Sequence, residues 1–395
     1  MDSSRNAMPN LILITLLAAF PALSTDMYLP AIPTLQKIWN ISLPEANLSL
    51  VIYFATFSLL LLVHGPLSDR FGRKPVLGWG ILLFIAGCLL CASADSITGL
   101  VLARMVQATG AAAASALSLA LARDMYEGKE RQKVLAYIGV ILPLCPMVAP
   151  MIGGLLLEYL SWRWIFVLQG LLALVSLYGS MRLKEPLFER TRGGVVSVAR
   201  RYKVLLGNKD YVSYTLAFCI MPASFFSFIA ASSNIYIVGF GLSEQAYGLF
   251  FGFNALCMMA GSLLCSRLCV GYSTFSILVV ALAGMLAAGV AMVYTTGDAL
   301  LEFVIPMGAI SFFVGLSRPL SISMVIEQVE TDVGAASALL SFTFFIFGAI
   351  AMELVSFDWW PTKAVFIGGV AVLGSLLPLA AVISMHTRHK RAAAG

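Results

Sequence analysis

Residues 11–33 read LILITLLAAFPALSTDMYLPAIP, with no charge until Asp26. A helix needs about 20 apolar residues to cross roughly 30 Å of hydrocarbon. The run has that length. It is too long for a signal-peptide core and has no small-residue cleavage site, so it reads as a retained first membrane helix. At 1.5 Å per residue, Asp26 lies about 22 Å along that helix from Leu11, past the midplane. A carboxyl at that depth is costly and marks a functional position by default. Two readings stay open: Asp26 takes up and releases a proton, or it caps an interrupted helix near Pro30 and Pro33.

The rest of the chain has the same character. Of 395 residues, 60% are apolar and 11% are charged, and mean hydropathy is +0.91. A soluble protein carries about 25% charged residues, so this chain cannot coat a water-facing surface of its own size. Segments of about 10 alternating residues, the mark of a membrane β-barrel, are not seen. The fold class expected is all-α, with twelve spans near 10–33, 45–67, 75–95, 98–122, 134–157, 163–182, 211–238, 245–266, 273–295, 301–325, 334–356 and 362–384. The longest polar interruption, 183–210, divides them six and six. The expected organisation is therefore a bundle over 1–182, a cytoplasmic linker over 183–210 and a bundle over 211–395, the two pseudo-symmetric halves facing a central cavity.

Charge sets the expected orientation. The N-terminus, 68–75, 123–133, 182–209, 267–272 and the C-terminal tail hold twenty of the 25 lysines and arginines. The opposite loops hold Lys37, Arg163 and Lys363. The positive-inside rule then puts both termini and the linker in the cytoplasm. The net charge of +5 comes from these loops and is no nucleic-acid signature. The seven cysteines lie in or beside apolar runs and read as small buried hydrophobes. Of three histidines, His386 and His389 are in the basic tail, and His64 reads as a packed polar residue. There is no HExxH, no GxSxG and no paired carboxylates at a membrane face, so no enzyme, cofactor or metal site is expected. A receptor or structural protein would not need charge clusters at the cytoplasmic joints.

Those clusters carry the sharpest motif. GPLSDRFGRKP (65–75) joins spans two and three. Gly65 is expected to let a neighbouring backbone approach, and Asp69 to accept from the turn and from Arg73. Arg70, Gly72 and Lys74 complete the turn. ARDMY (122–126) supplies Arg123 and Asp124 as further partners. Such a set would latch one conformation and release it in another. The matching joint in the second half, GSLLCSRLCVGYS (261–273), keeps a glycine and an arginine but lacks the aspartate.

Within the spans, Arg104 is expected at a depth similar to Asp26, forming a proton-sensitive pair that Gln107 bridges. An arginine that ties spans one and four together is the structural alternative. Span five carries Pro143, Pro146, Pro150, Gly153 and Gly154, which bend a helix and allow close contact. In the second half, Phe228, Asn234, Tyr236 and Asn254, with Phe225 nearby, suit the wall of a cavity for an amphipathic molecule. Arg318 either binds an anionic group or snorkels toward the cytoplasm.

The loop GPLSDRFGRKP resembles the signature loop of the major facilitator superfamily. RMVQATGAAAASA (104–116) resembles its fourth-helix motif. PMVAPMIGGLL (146–156) resembles its fifth-helix antiporter motif, with Ala149 where a glycine is usual. DMYLPAIP (26–33) and SWRWIF (161–166) narrow the resemblance to the Bcr/CflA branch of drug:proton antiporters. The resemblance is close in the N-terminal half and mainly one of layout in the other. It implies a bacterial inner-membrane exporter of amphipathic small molecules, driven by inward proton flow and working by alternating access. Asp26 and Arg104 would serve coupling. Asp26, Tyr28, Arg104, Gln107, Phe228, Asn234, Tyr236 and Asn254 would contact substrate. Gly65, Asp69, Arg70, Gly72, Arg73, Asp124, Pro146, Pro150, Gly153 and Gly154 would serve gating. Such a carrier needs the bilayer and protons and can work as a monomer. A metabolite exporter or a nutrient symporter of the same fold remains the alternative.

Overall fold

The computed structural model describes residues 3–187, 195–294 and 299–394. Helices make up the described chain. They are α1 (Ser3–Asp26), a 3₁₀ turn (Leu29–Ala31), α2 (Ile32–Trp39), α3 (Leu43–Phe71), α4 (Arg73–Ala92), α5 (Ile97–Met125), α6 (Gly128–Tyr159) and α7 (Arg163–Arg182). After these come α8 (Val195–Gly207), α9 (Lys209–Cys219), α10 (Ala223–Ser233) and a π-helical turn (Asn234–Gly239). The chain continues with α11 (Glu244–Leu268), α12 (Thr274–Val293), α13 (Leu300–Ile326), α14 (Val333–Ser356) and α15 (Lys363–Ala394). Twelve segments among the described residues are long and apolar enough to cross a membrane. The first joins α1 to α2 across Asn10–Trp39, and the seventh joins α9, α10 and the π turn across Lys209–Gly239.

Two differences from the sequence expectation matter. Span one runs on to Trp39 and is broken after Asp26. The stretch 183–210 contains a helix, α8, while its residues 188–194 lie outside the described residues.

Local chemistry sets the helix starts. At α3, Ser42 accepts from the Glu45 N–H while the Glu45 carboxylate accepts from the Ser42 N–H at 2.7 Å, so each satisfies a backbone donor that the helix cannot. At α5, Ser96 Oγ accepts from the Gly99 N–H at 3.2 Å. At α14 the cap is Asp332, whose φ of 63° is left-handed. Its carboxylate also accepts two hydrogen bonds from the Arg201 guanidinium. Those bonds hold the Asp332 carboxyl below the usual carboxylate range, against the smaller opposing effect of burial.

The chain divides into two compact units, residues 1–198 with 241–249, and residues 199–240 with 250–395. In the first, α5 packs on α1, α3 and α4, and α4 packs on α7. The α5 surface is small at Ala108, Ala111 and Ala112, all fully buried. A Cβ on Gly110 would stand 2.3 Å from the Phe84 nitrogen, so α4 and α5 touch backbone to backbone. In the second unit, α12 packs on α13 and α15, and α10 on α14 and α15.

Candidate functional site

The first unit is organised around the break in span one. Pro30 and Pro33 follow it and cannot donate to the helical ladder. A helix that ends inside a membrane leaves carbonyls without donors. Here side chains from other helices supply some of them. Gln169 on α7 donates to the Leu23 carbonyl at 3.2 Å, and Arg104 on α5 donates to the Ser24 carbonyl at 2.9 Å. The Tyr28 N–H takes the Thr25 carbonyl at 3.0 Å. A cation at a helix C-terminus is also favoured by the helix dipole, and Arg104 is that cation.

Arg104 is fully buried. Its guanidinium carbon lies 4.7 Å from the ring centre of Tyr28, 4.5 Å from Tyr53 and 5.7 Å from Phe166. Desolvated cation–π contacts are worth about 2 kcal/mol or more each. Three of them offset much of the cost of a charge removed from water. Tyr28 and Phe166 come from the motifs DMYLPAIP and SWRWIF, so these distant segments converge on one arginine. Trp162 extends the cluster with edge contacts to Phe166 and Trp39. Tyr28 is fixed from its far end by a 2.8 Å hydrogen bond to Ser49.

Asp26 is 5% exposed and closes α1. Among the described residues its one side-chain hydrogen bond is from Thr25 Oγ1, 3.0 Å from Oδ1. The expected contact with Arg104 is absent: among the described residues, no ion pair joins them. The guanidinium turns to the Ser24 carbonyl and to Gln107 Oε1 at 2.6 Å. Gln107 in turn donates to Gln169 at 2.8 Å and to the Cys88 sulfur at 3.2 Å. It therefore bridges Arg104 to α7 and α4, not to Asp26. Tyr53 lies 4.5 Å from the Arg104 guanidinium and also interacts electrostatically with Asp26. Gln169, Cys88 and the Ser24 carbonyl were not anticipated as parts of this site. Their partners are far away in the chain, beyond the reach of any local pattern.

The α6 helix closes over the break. It runs unbroken through Pro143, Pro146 and Pro150. A Cβ on Gly153 would stand 2.1 Å from the Met27 carbonyl oxygen, and one on Gly154 would stand 2.7 Å from the Glu244 carbonyl oxygen. Gly153 therefore permits contact with the residue directly after Asp26. Ala149 is fully buried.

The charge cluster forms around Arg73, which is largely buried. Its guanidinium reaches Asp69 at 2.5 Å, Asp124 at 2.8 Å and Ser68 Oγ at 2.6 Å. Glu185, just beyond α7, was not foreseen. It accepts from the backbone N–H groups of Arg73 at 2.9 Å and Lys74 at 3.1 Å, neutralising the positive start of α4. Gly72 has φ of 105°, a backbone that favours glycine, and a Cβ there would push on Glu185 Oε2 at 2.7 Å. Three expectations change. Nothing lies within 4 Å of a Cβ placed on Gly65, so that glycine admits no neighbour here. Arg70 is exposed over Phe71 and joins no carboxylate of the cluster. Arg123 is exposed and contributes its carbonyl, which accepts from Arg131 at 3.0 Å.

In the second unit, Phe228, Tyr236 and Asn254 are fully buried. Tyr236 stacks on Phe250 at 5.5 Å and meets Phe228 and Phe303 edge-on. Asn254 donates to the Phe250 carbonyl at 3.0 Å and accepts from Ser311 at 3.2 Å. These residues come together, as a closed aromatic packing rather than an open wall. Asn234, half-buried, opens the π turn. His64 is buried, its Nδ1 2.9 Å from the Leu60 carbonyl.

Comparison with known proteins adds four findings. The family model described as Major Facilitator Superfamily matches residues 14–352. The chain is 32% identical to the "Uncharacterized MFS-type transporter YdgK" of Bacillus subtilis, over 92% of this chain and 93% of that one. It is 28% identical to the "Bicyclomycin resistance protein homolog" of Haemophilus influenzae, over 95% and 96%. Among solved structures, that of a D-xylose-proton symporter matches with a TM-score of 0.73 at 15% identity, over 94% of this chain and 97% of that one. The last likeness is one of fold.

Proposed function

Since the chain belongs to the Major Facilitator Superfamily, we propose that it is a proton-coupled exporter of amphipathic small molecules in a bacterial inner membrane, working by alternating access. The observation that carries this reading is Asp26. It is a buried carboxyl at a helix break, held by a single hydroxyl, on the same helix end that the caged Arg104 grips. Interrupted spans at matching positions of the two halves, here one and seven, are where carriers of this kind build their sites. The resistance protein among the relatives supports export over uptake.

Outside protons neutralise Asp26 and displace the substrate, and inward exposure releases the proton for the next molecule. Arg104 and Gln107 answer the change by altering their hold on the end of α1. Tyr28 and Gln107 in the first unit, and Phe228, Asn234, Tyr236 and Asn254 in the second, are the substrate contacts of this reading. The Asp69–Arg73–Asp124 cluster, with Gly72, steadies one state. Pro146, Pro150, Gly153 and Gly154 form a sliding surface. Residues 1–182 and 211–395 act as the two halves, 183–210 links them on the cytoplasmic side, both termini are cytoplasmic, and the carrier works as a monomer. The asymmetry of basic residues between the two sets of loops supports the orientation.

The test uses proteoliposomes with an imposed pH gradient and a panel of resistance compounds. Asp26→Asn should still bind substrate yet lose gradient-driven transport. Full gradient-driven transport by that variant would overturn the coupling role.

A further inference from the structure

We infer that the second unit holds a binding site for a small organic anion, with Arg318 as its cation and the Phe344–Phe345 pair as the wall for its apolar body. A cavity of about 120 Å³ lies between α13, α14 and the break between α9 and α10. A water molecule needs about 10–15 Å³ of such space, so the cavity takes a ligand head of several atoms. Arg318 lines it. Its guanidinium has no hydrogen bond and no ion pair among the described residues, and no aspartate or glutamate lines the cavity. Five N–H donors in a planar fork therefore have no protein acceptor, and the group that matches such a fork is a carboxylate or a phosphate.

The Arg318 side chain is half-buried. It lies on the ring of Phe344, 4.1 Å from the centroid. That ring is itself fixed by edge contacts to Phe345 at 5.0 Å and Phe226 at 5.2 Å. One face of the guanidinium is thus occupied by a π-system, and its edge is free for in-plane hydrogen bonds. The Ser337 and Ser341 hydroxyls also line the cavity and have no hydrogen bond among the described residues. The Cys219 thiol is engaged by the Leu340 carbonyl and does not compete. Pro222, the N-cap of α10, lines the same space, so the positive end of that helix adds to the arginine. A single guanidinium balances a single negative charge. The ligand class is an amphipathic monoanion, either a dissolved aryl carboxylate or an anionic lipid headgroup, which share this chemistry.

The site is read by binding and does not rest on proton coupling at Asp26. The probe is radiolabelled benzoate, measured by equilibrium dialysis on the purified full-length protein in detergent, against neutral benzamide of the same shape. Benzoate should bind saturably, and benzamide about tenfold more weakly or worse, the value of a charge-assisted hydrogen-bond pair. Arg318→Gln should lower benzoate affinity about tenfold or more, and Arg318→Lys should retain part of it. Phosphatidate in the mixed micelles separates the sources. Displacement of benzoate identifies a lipid occupant, and undisturbed benzoate binding identifies a dissolved anion; either supports the site. Equal affinity for benzoate and benzamide, no saturable benzoate binding, or unchanged benzoate affinity in Arg318→Gln would overturn it. Should Arg318→Gln not fold, the benzoate–benzamide contrast in the native protein decides alone.

Discussion

Arg104 donates a 2.9 Å hydrogen bond to the backbone carbonyl of Ser24, two residues before Asp26. The arginine is therefore tied to the α1 terminus through its backbone, and among the described residues it makes no ion pair with the aspartate. Lysine keeps the charge but lacks the planar guanidinium that lies among three rings while its Nη1 bonds Ser24 and Gln107. Arg104→Lys should lower gradient-driven transport in proteoliposomes about tenfold or more, the loss expected for a charge-assisted hydrogen bond. Tyr53→Phe keeps the ring and removes a hydroxyl that lies near Ser24 but meets no hydrogen-bond geometry among the described residues. Its transport should stay near wild type, and an equal loss in both variants would contradict the cage.

Two glycines should respond in opposite directions to the same change. Gly153→Ala drives a methyl into the Met27 carbonyl and should destabilise the protein by about 1–3 kcal/mol, as overpacking does. Gly65→Ala meets open space inside α3 and should stabilise by about 0.5–1 kcal/mol. Thermal melting of the detergent-solubilised variants separates the two. A lower melting temperature for Gly65→Ala would show that a neighbour approaches it after all.

Glu185 holds the first two amides of α4. Each charge-assisted hydrogen bond is worth about 1.5–3 kcal/mol. Glu185→Ala should therefore speed hydrogen exchange at the Arg73 and Lys74 amides about tenfold or more, by mass spectrometry. Amides in the middle of α4 should keep their wild-type rates.

The Arg201–Asp332 pair makes a pH-dependent contribution. The Asp332 carboxyl is held below its ordinary value, first by its hydrogen bonds from Arg201. Its stabilisation is thus present above the unfolded-state value of 3.8 and lost as pH falls through the lower folded-state value. Asp332→Asn tolerates the left-handed backbone and keeps a cap, so it removes chiefly the ion pair. It should cost at most about 1 kcal/mol for this partly exposed pair. Asp332→Ala also loses the cap and strains the backbone, costing about 1–2 kcal/mol more. The gap between wild type and Asp332→Asn should close on acidification; a gap that widens would refute the assignment.

The spans were legible because hydrophobicity accumulates over twenty residues and needs no knowledge of partners. The Arg73 cluster was legible in part, since Asp69 and Arg73 are one helical turn apart. Contacts such as Arg104 to Ser24 and Gln169 to Leu23, 80 and 146 residues apart, leave no local trace. Asp26 and Arg104 were expected as a pair because opposite charges in a membrane attract. That expectation overlooked the carbonyls exposed by a helix end, which compete for the same guanidinium. The extension of span one to Trp39 was missed because α2 carries Lys37 and Gln36 and reads as a loop. Glu185 looked like one more charge in a polar linker until the turn at Gly72 gave it two amides to hold.

The cage of Arg104 also constrains how the protein is made. Its walls come from the break after α1, from α3 and from α7, so the arginine, on α5, is synthesised before Phe166. Until the sixth span arrives, the nascent chain carries a charge whose shelter lacks the Phe166 ring. A chain halted after the fifth span leaves that shelter unfinished.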